Sequence, residues 1–223
     1  MKKVSFLLIL ALFGLFVVSN FSTNAGSATI VERFADADDK ALQDADATGA
    51  YNFDKAHSSI GFRVKHFGLV EVPGYFRDFT GTINYDAKDM KKSSVVFAAK
   101  TTSVDTGVAP RDNHLRTADF FDVEKYSEMT FKSTKVEKKG KTWMVTGDFT
   151  MKGVTKQISF PFTVAGVKKD AKGGMKMGVT AETSINRRDF GVNYGSNLPD
   201  GTAVLSDNIA VVLQLECNMQ KAQ

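Results

Sequence analysis

The sequence predicts an all-β fold, an antiparallel barrel or sandwich with a short helix inserted between strands. Three observations carry this expectation. Apolar and polar residues alternate with period two in run after run, the pattern of half-buried strands. Breaks rich in Gly, Asp and Lys, such as Asp86-Ala87-Lys88-Asp89 and Lys138-Lys139-Gly140-Lys141, separate the runs and read as hairpin turns. No helices alternate with the runs, which argues against a parallel βαβ sheet.

The chain opens with a segment of a different kind. Lys2 and Lys3 precede an almost unbroken apolar run, Val4 to Val18, and Ser19 to Ala28 is small and polar. This reads as a secretory signal peptide over 1–28, cut near 25–28. The run has about 15 residues, short of the roughly 20 that span a bilayer. Residues 29–50 form an acidic leader with Glu32, Asp36, Asp38, Asp39, Asp44 and Asp46 against Arg33 and Lys40. It lacks a sustained apolar stripe and reads as a mobile segment or a loosely docked helix. The barrel domain is expected over 51–218 and a tail over 219–223. Of the formal net charge of +4, the leader contributes about −4 and the two signal lysines +2, so the chain from Tyr51 onward is mildly basic. Its lysines fall mainly where turns are expected. An exported chain without a focused basic face is a poor nucleic-acid binder.

The strands follow in order. Ser58, Ile60, Phe62 and Val64 share one face, as do Phe79, Gly81, Ile83 and Tyr85, then Val95, Phe97 and Ala99, then Met129, Phe131 and Ser133. Trp143, Val145, Gly147 and Phe149 form the next inner row, followed by Ile158 to Val164, Met175 to Ala181 and Ile209 to Leu215. Two stretches break the period. Arg111 to Tyr126 follows Pro110 and spaces Leu115, Ala118 and Phe121 roughly as a short helix, with Asp112 as a candidate cap. Arg187 to Leu205 is a long polar loop with a turn at Pro199-Asp200-Gly201, and long loops in compact domains are often functional.

Closing the sheet removes exposed edges, and a barrel of about eight strands is wide enough to be filled by side chains or to hold one small ligand. Of eighteen phenylalanines, most fall in or beside the alternating runs. Phe53, Phe62, Phe67, Phe76, Phe79, Phe97, Phe131, Phe149, Phe160 and Phe162 are the candidate tail-contacting wall, with Met177 as an adaptable neighbour. The same pattern suits a solid aromatic core, and both readings stand at this level. Small residues on these faces (Gly81, Ala99, Gly147, Ala181) leave room or relieve crowding.

A cavity binder needs a few polar groups to orient its ligand. The candidates for a ligand head are His66, the cluster Arg111, Asp112, His114 and Arg116, and the pair Asn186 and Arg187. Arginine grips phosphate oxygens in a planar fork. The competing role for each is structural: loop ties, caps and a packed histidine. The three histidines His57, His66 and His114 show no ligand spacing, the sole cysteine is Cys217, and no Gly-x-Ser-x-Gly elbow occurs. No metal set, cofactor or catalytic group is expected, and export without a disulfide calls for a core stable by burial. Cys217 reads as a small core residue.

The chain resembles the YceI family. The resemblance runs from Tyr51 to about Cys217. It rests on the order of Tyr51-Asn52-Phe53-Asp54-Lys55-Ala56-His57-Ser58-Ser59-Ile60-Gly61-Phe62, Val64-Lys65-His66-Phe67-Gly68 and Gly74-Tyr75-Phe76-Arg77-Asp78-Phe79-Thr80-Gly81. Ser103-Val104-Asp105-Thr106-Gly107, Arg111-Asp112-Asn113-His114-Leu115-Arg116, Asp119-Phe120-Phe121-Asp122, Thr130-Phe131-Lys132-Ser133, Gly153-Val154-Thr155-Lys156 and Ile185-Asn186-Arg187-Arg188-Asp189-Phe190-Gly191 continue it. Ser127 departs from the family's usual proline, and the acidic leader is not shared. The resemblance implies an eight-stranded antiparallel lipocalin-like barrel around an apolar pore. It implies an exported, periplasmic or secreted carrier of a polyisoprenoid, an isoprenoid quinone or a related long-chain lipid, not an enzyme. Transient contact with a membrane or redox protein and a homodimeric state are compatible with it. Two rival readings are a packed barrel serving as a stress or protein-interaction module without lipid cargo, and a lipid-modifying enzyme.

Overall fold

The structure, a computed structural model, describes residues 47–220. The expected signal peptide, most of the acidic leader and residues 221–223 lie outside the described residues.

Among the described residues, eleven strand segments and one α-helix follow one another. They are β1 (Gly49–Phe53), β2 (Ser59–His66), β3 (Val70–Phe76), β4 (Phe79–Tyr85), β5 (Ser94–Lys100), β6 (Val104–Asp105), α1 (Ala109–Leu115), β7 (Glu128–Lys139), β8 (Thr142–Met151), β9 (Val154–Lys169), β10 (Met175–Asn186) and β11 (Asn208–Met219). The sheet runs β1-β4-β5-β7-β8-β9-β10-β11, and pairing of β11 with β1 closes it into an eight-stranded antiparallel barrel.

The remaining segments prolong three of the eight strands beyond an interruption. β1 pairs with β11 through Phe53↔Cys217, and β2 resumes the pairing at Ser59↔Gln214. The intervening residues bulge outward, and the ladder is patched there: the Ser58 hydroxyl donates to the Glu216 carbonyl and accepts from the Glu216 N–H, both at 3.0 Å. β3 and β4 break at Arg77-Asp78, and β5 and β6 at a short 3-10 turn, Thr101–Ser103. The Arg77 N–H donates to the Ser103 carbonyl at 3.1 Å and the Lys100 N–H to the Asp78 carbonyl at 2.8 Å. The three interruptions therefore lie side by side on one flank of the wall.

At one end, the base, lie the β4–β5, β7–β8 and β9–β10 connections. At the other, the mouth, lie the β2–β3 and β8–β9 turns, α1 and the loop from Arg187 to Asp207. The two-residue β8–β9 turn places Lys152 (φ 50°) and Gly153 (φ 75°) in the left-handed region, as hairpin turns require. The inner rows are those the alternation predicts. Ile60, Phe79, Tyr85, Ala99, Met129, Phe131, Val145, Phe149, Phe160, Val164, Met177, Val179, Ala181, Ile209 and Leu215 are all buried.

Four local features differ from the sequence expectation. Strand β1 begins at Gly49, two residues before the expected start of the barrel domain, and Ala47 is fully buried. The helix spans Ala109–Leu115 and not a stretch from Arg111 onward, because Pro110 suits a first helical turn, where its missing N–H costs nothing. Val108 stands at its N-cap, and Asp112 caps nothing there. β3 carries Pro73 and Gly74 and so hides its alternation, yet Pro73 pairs opposite Arg63.

Gly81 and Gly147 do not leave room. A Cβ at Gly81 would strike the Phe53 ring, and one at Gly147 the Phe131 ring and the Lys132 carbonyl. Gly74 stands in the same relation to Phe62. Each glycine is a seat for an aromatic ring on the next strand.

Candidate functional site

The barrel encloses a cavity of about 430 Å³. Its wall is built from the inner rows of every strand of the closed ring, and it is almost wholly apolar. Of the ten phenylalanines expected to form it, Phe53, Phe62, Phe76, Phe97, Phe131, Phe149, Phe160 and Phe162 line it, as does Met177. Phe67 and Phe79 do not. Phe67 occupies the β2–β3 turn with φ 51° and is 37% exposed, so the turn carries its ring past the end of the inner row. Phe79 is buried against the edge of Phe53, with ring centroids 6.5 Å apart.

The cationic and imidazole groups that reach the cavity, His66, Arg111, His114 and Arg187, belong to elements of the mouth. α1, which follows β6, supplies Arg111 and His114. The Arg111 guanidinium donates from Nε to the Thr106 hydroxyl at 2.7 Å and from Nη2 to the Thr106 carbonyl at 2.9 Å. Thr106, also in the wall, is held in turn by the Asp112 carboxylate, which accepts from its N–H and its hydroxyl. His114 Nε2 is 2.8 Å from Asp119 Oδ2. Its ring meets Phe120 edge-on at 5.1 Å and Tyr194 at 4.8 Å. Tyr194, from the long loop, lines the cavity and is 45% exposed, so it spans inside and outside. The His66 ring packs against Phe67 at 4.3 Å.

Of the seven residues predicted for a ligand head, the fold brings these four together at the cavity. Asp112, Arg116 and Asn186 are engaged elsewhere. Arg116 donates to the carbonyls of Thr102 and Val104 at 2.9 and 2.8 Å, tying α1 to the β5–β6 break. The Asn186 side chain accepts from the Arg188 N–H and caps the 3-10 turn Arg187–Phe190. Arg187 reaches the cavity but is 5% exposed and holds the long loop, donating to the carbonyls of Val192, Tyr194 and Ser206 at 2.9, 2.6 and 3.1 Å. Burial lowers its pKa, and Asp207 opposes the shift.

Sequence reasoning missed several lining residues: Phe120, Tyr194 and Leu205 at the mouth, and Tyr85 and Met90 at the base. Tyr85 was legible as the last inner residue of its strand. The others lie in turns and loops, where no period marks the inner side.

Away from the cavity, Asp54, His57 and Glu216 bring their ligand-type atoms within 4.8 Å of one another. The Lys176 ammonium stands 2.6 Å from Glu216 and 3.9 Å from Asp54 and supplies the positive charge of this group. Cys217 is fully buried, and burial pushes its thiol up to about 12, which leaves it a packing group.

The YceI-like domain pattern matches residues 51–217. The chain belongs to the YceI family. Protein YceI of Escherichia coli is 37% identical over 173 residues, covering 77% of this chain and 87% of that protein. UPF0312 protein plu2095 of Photorhabdus laumondii is 41% identical over 142 residues, or 64% of this chain and 73% of its own length. Among solved structures, the Campylobacter jejuni YCEI protein superposes with a TM-score of 0.61 at 34% identity, covering 75% of this chain and 96% of that one. A polyisoprenoid binding domain from Saccharophagus degradans shares the fold with a TM-score of 0.57 at 17% identity, covering 76% and 98%. The YceI fold thus accounts for the closed barrel and its short helix.

Proposed function

We propose that this protein is exported and carries a long apolar lipid, a polyisoprenoid or an isoprenoid quinone, through an aqueous compartment such as the periplasm. The observation that carries the reading is the polarity of the cavity: aromatic and aliphatic along its wall, with its cationic and imidazole groups at the mouth. Such a site takes a ligand with a long apolar tail and a small polar head. The existence of a polyisoprenoid binding domain on the same fold supports this choice of cargo. The signal-like first 28 residues support export. A cavity of 430 Å³ weighs against a packed interaction module.

In this reading the tail occupies the wall of phenylalanines, where burial of apolar surface contributes about 25 cal/mol per Å² before ordering costs. The head lies at His114 and Arg111. The protein binds and releases its cargo without changing it. The test is mass spectrometry of an organic extract of the purified protein beside its native mass spectrum. A stoichiometric isoprenoid lipid is the expected result; a lipid-free protein that also takes up none when offered overturns the reading. Salt then separates the heads. A pyrophosphate head predicts binding weakened by salt and by Arg111→Ala, and a quinone head predicts binding nearly indifferent to salt.

A further inference from the structure

The cavity does not run the length of the barrel. Toward the base its lining ends at Phe53 on β1, Tyr85 on β4, Val164 on β9, Met177 on β10 and Leu215 on β11. The next buried positions toward the base, Tyr51, Val167 and Cys217, are absent from the lining. Tyr51 and Cys217 are fully buried and Val167 is 6% exposed, so the space below is solid. The Tyr51 ring stands edge-on to Tyr85 with centroids 6.3 Å apart, and its hydroxyl donates to the Ala47 carbonyl at 2.7 Å. Met90, from the 3-10 turn Met90–Lys92 in the β4–β5 connection, reaches the cavity beside Tyr85. The site is a blind tube, open at the mouth and floored by Tyr85 and Met90 with Tyr51 behind them.

We propose that Tyr85 and Met90, backed by Tyr51, set the length of tail that this protein binds with full affinity. The inference rests on the carrier reading and deepens it by naming the ligand class: single isoprenoid tails gauged from the mouth to this floor. Each unit that enters adds apolar burial. A unit beyond the floor's reach stays outside and adds none.

The test is competition among linear isoprenols of stepwise increasing length, from two isoprene units to long polyprenols, for the full chain stripped of lipid, read by native mass spectrometry. Affinity rises about tenfold or more with each unit that enters, since one buried methylene alone is worth about fourfold. The rise stops in the wild type at the tail length that fills the tube down to its floor. Met90→Ala and Tyr85→Ala move the break to longer tails, and Met90→Ala, a change in a turn, keeps the test open if Tyr85→Ala fails to fold. Val179→Phe, one inner row above Met177, moves the break to shorter tails. A break that stays in place in the folded variants, or affinity that climbs without a break across the whole series in the wild type, overturns the gauge while the carrier reading stands. Binding of no isoprenol at all overturns both.

Discussion

The Arg187 guanidinium meets the Asp207 carboxylate at 3.0 Å while only 5% of Arg187 is exposed. The pair joins the two ends of the long mouth loop, and the carbonyls of Val192, Tyr194, Leu205 and Ser206 complete the arginine's partners. The Asp207 side chain is 40% exposed and also pairs with Arg188, so removing Arg187 chiefly leaves loop carbonyls unpaired, at a cost of about 1–3 kcal/mol. Arg187→Ala is therefore expected to lower unfolding stability by that amount in denaturant titration. Lost lipid binding at unchanged stability would instead mark Arg187 as a ligand clamp.

Gly147→Ala tests the seat beneath Phe131. The added methyl meets the Lys132 carbonyl as well as the ring, and the backbone has little freedom to move in mid-strand. Overpacking of this kind costs about 1–3 kcal/mol. The expected outcome is a lower denaturation midpoint, and Gly140→Ala, in a turn with open space around it but φ 61°, separates steric from conformational cost.

Phe97→Asp places a carboxylate on the apolar wall. Phe97 pairs with Gly81 and Phe131 in the ladder and lines the cavity midway along β5. The folded variant, confirmed by circular dichroism, is expected to lose at least tenfold in lipid affinity. Unchanged uptake would remove Phe97 from the tail site.

Acid stability gives a further check. The hydrogen bond with His57, joined by those from Asn218 and the Ala56 N–H, holds Asp54 at about 2, below its usual 3.8. A carboxylate whose folded value lies below its unfolded one stabilises the fold above pH 3.8, and this contribution disappears as pH falls toward 2. Asp54→Asn should therefore lose less stability than the wild type between pH 4 and pH 2 in acid titrations followed by fluorescence. Parallel curves would show that Asp54 is not held as the structure places it.

The barrel was legible because its inner and outer faces alternate. Ile158 to Val164 and Ile209 to Leu215 present their apolar residues to one side, and that rule needs no knowledge of the neighbouring strands. The mouth was less legible. Arg111, Arg116 and Arg187 are the same kind of residue in sequence, yet Arg111 borders the cavity, Arg116 ties two backbones together and Arg187 is buried among carbonyls. What separates them is which loop carbonyls lie within reach, and that depends on the tertiary path of the loop. Cavity depth was hidden for a similar reason: Tyr51 and Phe53 share a strand and a face, and only their level in the closed ring makes one a plug and the other a wall.

The three interruptions at 54–58, 77–78 and 101–103 give the wall a seam. Elsewhere the ladders run on through long pairings, such as the eleven residues of β10 against β11. A tube with an unbroken ladder all round can widen only by parting hydrogen bonds along a whole strand. A tube with a seam needs to yield only at its stitches, here Ser58 on Glu216, Arg77 on Ser103 and Lys100 on Asp78. Parting the wall at the seam therefore breaks only these few hydrogen bonds and leaves the long ladders beside it intact.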